Sequence, residues 1–160
     1  YQGVGMTACL YLAKGVGELK LRSKDPTEQP DLNYNYFREE EDLRRMRECV
    51  RLCASVGAGD AYSEIISDRI QPTDEQLEND DALDSWLKQN ARTSHHITST
   101  CRMGPGSDPA SVVDQYGKVH GVNGLRVGDA SIMYDCVRAN TNVPTMMICE
   151  KIAEFIKLSK

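Results

Sequence analysis

Residues 93–150, TSHHITSTCRMGPGSDPASVVDQYGKVHGVNGLRVGDASIMYDCVRANTNVPTMMICE, constrain the fold more than any other part of the chain. Short apolar runs alternate there with turn formers. Gly104-Pro105-Gly106-Ser107-Asp108-Pro109 makes a long turn, and Val112-Val113-Asp114 a short strand. Tyr116-Gly117 turns into Lys118-Val119-His120. Asn123-Gly124 is the strongest hairpin signal in the chain, since both residues tolerate the positive φ of a tight turn. It leads into the apolar strand Leu125-Arg126-Val127 and then Gly128-Asp129-Ala130-Ser131. A helix is expected from about Pro144 to Leu158, with Met147, Ile148, Ile152 and Phe155 or Ile156 at helical spacing and Pro144 in its first turn. His96, Asp129, Asn140 and Asn142 fall at element ends, where side chains converge on ligands.

The preceding residues read as scaffold. Leu10, Leu12 and Ala13 suggest a strand, joined through Gly15-Val16-Gly17 to Glu18-Leu19-Lys20-Leu21-Arg22, whose alternation is that of a half-exposed antiparallel strand. Leu32, Tyr34 and Tyr36 alternate again. Residues 39–56 form the clearest helix, with Leu43, Met46, Val50 and Cys53 on one stripe and Glu39, Glu40, Glu41 and Asp42 at its dipole-favoured start. Arg44, Arg45, Arg47 and Arg51 lie off the stripe. They make either an anion-binding face or a solvated face paired as Glu40 with Arg44 and Glu41 with Arg45.

Further on, Asp60–Ile66 suggests a short helix with Tyr62, Ile65 and Ile66 inward. Thr73 and Gln76 form a capping box. Asp81–Asn90 is a helix with Leu83, Trp86 and Leu87 on one face. Trp86 either anchors the core or stacks on a ligand.

Composition excludes several classes. A net charge of −5 argues against a nucleic-acid partner. No apolar run reaches the length of a membrane span. The six cysteines have no disulfide-scaffold spacing and are expected free, which places the protein in a reducing, cytoplasmic compartment. The chain opens on Tyr1 and reads as a processed or truncated product or as a piece of a longer parent.

The residues permit specific chemistry. A His in a polar loop exchanges a proton near neutral pH, so His96 is either a general base or a structural His. Of Asn140 and Asn142, one is expected to cap the last helix and the other to donate its amide to a ligand oxygen. The free N–H groups of that helix favour negative charge. Asp129 closes the strand Leu125-Arg126-Val127, and either accepts ligand hydroxyls, as strand ends in α/β sheets do, or closes its own turn. A metal site on His95, His96 and Cys101 is a weaker alternative, without a second pair at zinc spacing. A thiol nucleophile at Cys101 lacks an activating signature. Neither Gly3-Val4-Gly5 nor Gly15-Val16-Gly17 extends to a dinucleotide fingerprint.

The segments HHITSTCRMG, VVDQYGKVHGVNGLRVGDASIM and NTNVPTMMICEKIAEFI, with GVGELKLRSKDPTEQPDLNYNYF upstream, resemble the C-terminal half of the FAD-dependent glucose-methanol-choline oxidoreductases, in particular the choline-dehydrogenase-like branch. The resemblance covers nearly the whole chain. It implies an α+β fold: an antiparallel substrate-domain sheet with covering helices over residues 1–92, then an active-site His segment and the C-terminal strand and helix of an FAD-binding α/β domain over 93–160.

The resemblance also assigns roles. His96, four residues before Thr100, becomes the catalytic base. Asn140, seven residues after Met133, becomes its partner on the substrate oxygen. Asp129, Ala130, Asn142 and Val143 become flavin contacts, with no metal. The implied reaction is oxidation of a small-molecule alcohol. His96 removes the hydroxyl proton while hydride passes to FAD, and oxygen or another electron acceptor follows. The N-terminal FAD-binding portion would have to be supplied from outside these residues. The alternative is a non-catalytic fragment or subunit that completes a flavin site only with another chain. One departure stands out: Tyr134 replaces the family's usual Pro after Met133. It either loosens the loop that aims Asn140 or reaches toward the pocket.

Overall fold

The computed structural model describes residues 3–159. They divide into two compact units, the first ending at Arg92 and the second beginning at Thr93. The architecture is mixed: helices with one small antiparallel sheet.

In the first unit, β1 (Glu18–Lys20) pairs antiparallel with β2 (Asp31–Asn33), Leu19 opposite Leu32. This corrects the expected hairpin. Residues 10–13 form no strand, and Leu12 has φ of +50°. The reason is tertiary. The buried carboxylate of Asp42 accepts hydrogen bonds from the Lys14 and Gly15 amides (2.9 and 2.7 Å). Arg45 donates to the carbonyls of Leu12 and Tyr11 (3.0 and 2.8 Å). Two polar side chains of the neighbouring helix thereby satisfy backbone groups that a sheet ladder would otherwise use.

That helix is α1 (Glu40–Gly57). Its Leu43 and Val50 pack with Leu83 and Leu87 of α3 (Asp80–Asn90), with Met46, Leu77, Phe37 and Trp86 around them. Trp86 is therefore a core anchor, although its buried indole N–H has no partner among the described residues. α2 (Asp74–Glu78) begins on the expected capping box: Thr73 accepts from the Gln76 amide, and the Gln76 side chain accepts from the Thr73 amide. Between α1 and α2, only Asp60–Tyr62 is helical, a single 3₁₀ turn, and Ile65 is exposed rather than inward.

The second unit contains little regular structure before α4 (Asn142–Lys157). Its core is Val113, Ile132 and Ile152, with Met103, Val119, Val127, Ile148 and Phe155 packed on it. The expected strands survive only as single bridges, such as Lys118 with Arg126. Val119 N–H to Leu125 O (3.1 Å) and Val127 N–H to Gly117 O (2.9 Å) complete a hairpin. Its turn is wider than the two-residue turn that Asn123-Gly124 suggests, with positive φ at both Gly121 and Gly124. Gly117 is required by its surroundings. At its φ of +73°, a Cβ would stand 2.6 Å from the Val127 carbonyl oxygen and 2.7 Å from Ile152 Cδ1.

Candidate active site

His96 lies on an irregular segment laced to the Asp129 turn by alternate backbone bonds. The amides of Ser99, Cys101 and Met103 donate to the carbonyls of Ala130, Ser131 and Ile132 (3.4, 2.9 and 3.0 Å). His96 stands beside Thr141, at the start of α4. Its half-buried ring meets Thr141, with Nδ1 3.0 Å from Thr141 Oγ1 and 3.5 Å from the Thr141 amide nitrogen. Nε2 has no partner among the described residues. The neighbouring His95 is exposed, with φ of +64°. The Cys136 thiol lies within weak hydrogen-bonding range of the His96 carbonyl oxygen (3.9 Å).

The two asparagines do not behave as the sequence suggests. Neither caps α4: the N-cap is Thr141, and its side chain makes no capping bond. Asn140 and Asn142 are both exposed, and their side chains have no hydrogen-bond partner among the described residues. Asn140 directly precedes Thr141, but no His96–Asn140 hydrogen bond forms. The amides of Asn142 and Val143 also lack acceptors, and the Val143 side chain is 68% exposed. The start of α4 thus presents two free N–H groups, two free carboxamides and an uncovered apolar side chain.

Asp129 caps the 3₁₀ turn Ala130–Ile132, its Oδ1 accepting from the Ser131 amide at 2.7 Å. The bland alternative for Asp129 is therefore realised. Its residue is exposed, which leaves the second carboxylate oxygen open to a ligand. Ala130 is half-buried beside it.

A cleft of about 650 Å³ opens elsewhere in this unit, lined by Met103, Pro105, His120, Ile132, Tyr134 and Ile148 among others. None of His96, Asp129, Ala130, Asn140, Asn142 and Val143 lines it. Two of its polar side chains help to close loops. His120 Nε2 meets the Gly104 carbonyl (3.1 Å), and Asp114 accepts from the Tyr116 and Lys118 amides (2.8 and 2.9 Å). Size alone does not make this the reacting site. Tyr134 is 68% exposed, borders this cleft and lies under the Arg102 guanidinium, 4.5 Å from ring centroid to carbon.

The other candidates resolve plainly. Arg44 pairs with Glu41 and Glu48, Arg47 with Asp84 and Glu40, and Arg51 with Asp80 and the Leu77 carbonyl. With Arg45 on the backbone of residues 11 and 12, all four arginines serve structure rather than an anion site. The pairs differ from those that helical spacing suggests: Arg44 reaches Glu41, and Arg45 approaches Asp42 (3.8 Å). The Arg44 guanidinium holds the Glu41 carboxyl down at about 2. Arg51 lowers Asp80. Burial, with Cys53 alongside, pushes the Cys49 thiol up. All six cysteines are free, and among the described residues no three His, Cys, Asp or Glu side chains gather as metal ligands. No described helix is long and apolar enough to cross a membrane.

Thr141 is the residue that sequence reading missed. A signal existed, since Thr at the entry to a helix is a preferred N-cap. The flanking asparagines drew that role away from it.

Comparison with known proteins shows the family. The GMC oxidoreductase family model matches residues 13–149. The mitochondrial choline dehydrogenase of Mus musculus is 42% identical over 145 residues, 91% of this chain and 24% of that protein. An oxygen-dependent choline dehydrogenase of Stenotrophomonas maltophilia is 38% identical over 141 residues, 88% of this chain and 25% of that protein. Among solved structures, the formate oxidase of Aspergillus oryzae RIB40, studied for the modification of its FAD, superposes with a TM-score of 0.81 at 28% identity, covering 92% of this chain and 25% of that one. A fungal aryl-alcohol oxidase superposes with a TM-score of 0.75 at 25% identity, covering 89% and 23%. The chain thus spans about a quarter of the length of these relatives. It belongs to the GMC oxidoreductase family.

Proposed function

We propose that this chain forms the substrate-side, proton-handling part of an FAD-dependent oxidoreductase acting on the CH–OH group of a small alcohol. The observation that carries this reading is the His96 ring, held through Nδ1 by a buried hydroxyl and left open at Nε2, close in the chain fold to the unpaired start of α4.

The residues present fit a flavin. The unacceptored amides of Asn142 and Val143, with the positive end of the α4 dipole, suit a ring edge that takes on negative charge. The uncovered Val143 side chain suits a flat apolar surface. The open oxygen of Asp129, beside Ala130, suits a hydroxylated chain. FAD, when bound, supplies the acceptor for the hydride that leaves the carbinol carbon. His96 Nε2 takes the hydroxyl proton, and the Asn140 carboxamide donates to the alcohol oxygen as charge develops on it. No dinucleotide fingerprint occurs in these residues, and on this reading the phosphates are held by residues beyond them. On this reading residues 1–92 form part of the substrate domain, and the electron acceptor is oxygen or another oxidant.

Two relatives named for choline support a choline-like alcohol as substrate. The free thiols support a reducing, cytoplasmic location. The test is anaerobic stopped-flow reduction of the flavin by choline in the intact enzyme. His96→Ala is expected to slow reduction by about 10²-fold or more through loss of the base. Reduction at the unaltered rate would remove His96 from that role.

A further inference from the structure

We propose that Thr141 is a positioning residue whose hydroxyl accepts the His96 Nδ1–H and so keeps the Nε2 lone pair unprotonated and facing outward. The inference rests on the reading of His96 as the base. It adds the device that selects the reactive tautomer.

Neutral imidazole carries one proton, and the bond made by one nitrogen decides what the other presents. Two groups of Thr141 compete for Nδ1. The hydroxyl, at 3.0 Å, accepts or donates. The amide, at 3.5 Å, only donates. If the amide dominates, Nδ1 is an acceptor, the proton sits on Nε2, and His96 is no base toward an alcohol. If the hydroxyl accepts, the proton sits on Nδ1 and Nε2 is free. The hydroxyl lies at a normal hydrogen-bond length and the amide at the outer limit, so the hydroxyl is the stronger partner of Nδ1, and in the proposed tautomer it accepts the Nδ1–H. When Nε2 takes a proton, both nitrogens become donors. The Nδ1–H···Oγ1 bond is then charge-assisted and stronger, and the contact from the amide becomes repulsive.

Two further observations set this hydroxyl apart from an ordinary surface Thr. Thr141 is only 7% exposed. It also occupies the N-cap position of α4, where a Thr side chain normally binds an amide of the first turn, yet it makes no such bond. Pro144, at the third helical position, offers no N–H for such a cap. The Thr141 carbonyl, by contrast, is fully engaged by the amide and hydroxyl of Thr145 (2.9 and 2.7 Å). The hydroxyl is thus the group directed at His96.

The test uses the intact, flavin-loaded enzyme labelled with ¹⁵N-histidine. It compares wild type, Thr141→Val and Thr141→Ser by imidazole ¹⁵N shifts and by stopped-flow reduction. Wild type and Thr141→Ser are expected to carry the His96 proton on Nδ1. Thr141→Val is expected to move it to Nε2 and to slow flavin reduction on the order of 10–100-fold, with KM little changed. Rescue by Ser but not by the isosteric Val separates a hydroxyl role from packing. A wild-type His96 protonated on Nε2 overturns the proposal, even if Thr141→Val fails to fold. Unchanged tautomer and rate in a folded Thr141→Val overturn it too. Both results leave a loss of activity in His96→Ala intact, so failure of this inference is distinct from failure of the base assignment.

Discussion

The two units hold themselves together by different means, and the difference shows where the chemistry is. The first unit uses two packed helices and an arginine network. The charged side chains that join its elements are committed: Arg47 bridges Asp84 at 2.9 Å with both partners mostly buried, and Asp42 ties residues 14 and 15 to α1. The second unit hangs irregular backbone on one helix and a small core of Val113, Ile132 and Ile152. Its loops are satisfied largely by backbone bonds and by short Asp-to-amide closures. That economy leaves polar groups unengaged at element ends: His96 Nε2, the Asn140 and Asn142 carboxamides, and the first amides of α4. A site needs groups whose bonding capacity is not already exhausted by the fold. The second unit offers such groups at His96 and at the start of α4.

The contrast can be tested at its strongest points. Leu83→Ala should have the largest effect on the fold. The side chain is fully buried against α1, so truncation should destabilise by about 2–5 kcal/mol. Faster amide exchange in α1 and α3, with a lower unfolding midpoint, would show it. Exchange unchanged in those helices would mean that the α1–α3 core is not what holds the first unit.

Gly117→Ala attacks the second unit. It forces a Cβ into the Val127 carbonyl and Ile152 at an unfavourable φ, and about 1–3 kcal/mol should be lost. The Val127 amide, bonded to the Gly117 carbonyl, should exchange faster. A fully stable variant would show that the loops yield more readily than their close contacts imply.

The smallest effect concerns pH. The folded pKa of Glu41 is depressed to about 2 from an ordinary 4.5, chiefly by the hydrogen bond from Arg44, and Asp80 is depressed by Arg51. A carboxylate with a depressed folded pKa stabilises fully above its unfolded value and loses that contribution as pH falls through the folded one. The first unit should therefore lose helix protection gradually as pH drops from 4.5 toward 2, by a small amount because the Glu41–Arg44 pair is exposed. Added salt should reduce the difference. A pH-independent α1 over that range would remove these ion pairs from the stability of the unit.

Much of the molecule was legible in order along the chain. The stripe of Leu43, Met46 and Val50, the box of Thr73 and Gln76, and the apolar spacing of α4 all depend on residues three or four apart. Such local signals survive without knowledge of distant partners. Motif spacing also singled out His96 and the start of the last helix. What failed depended on long-range pairing. Residues 10–13 have strand-like alternation, but Arg45, more than thirty residues on, claims the carbonyls of Tyr11 and Leu12, and Asp42 the amides just after them. Helical spacing suggested Glu40 for Arg44. Real side-chain reach chose Glu41 and Glu48 for it and gave Glu40 to Arg47 instead.

The amino-acid sequence alone thus determined the three long helices, the family and the candidate site residues, because each is written in local periodicity or in contiguous motifs. Only the tertiary structure decided which cap is used and which hydroxyl His96 meets. Thr141 and His96 are 45 residues apart, and no spacing rule links them. A hydrogen bond is set by atomic position within a few tenths of an ångström, and only packing fixes position to that degree.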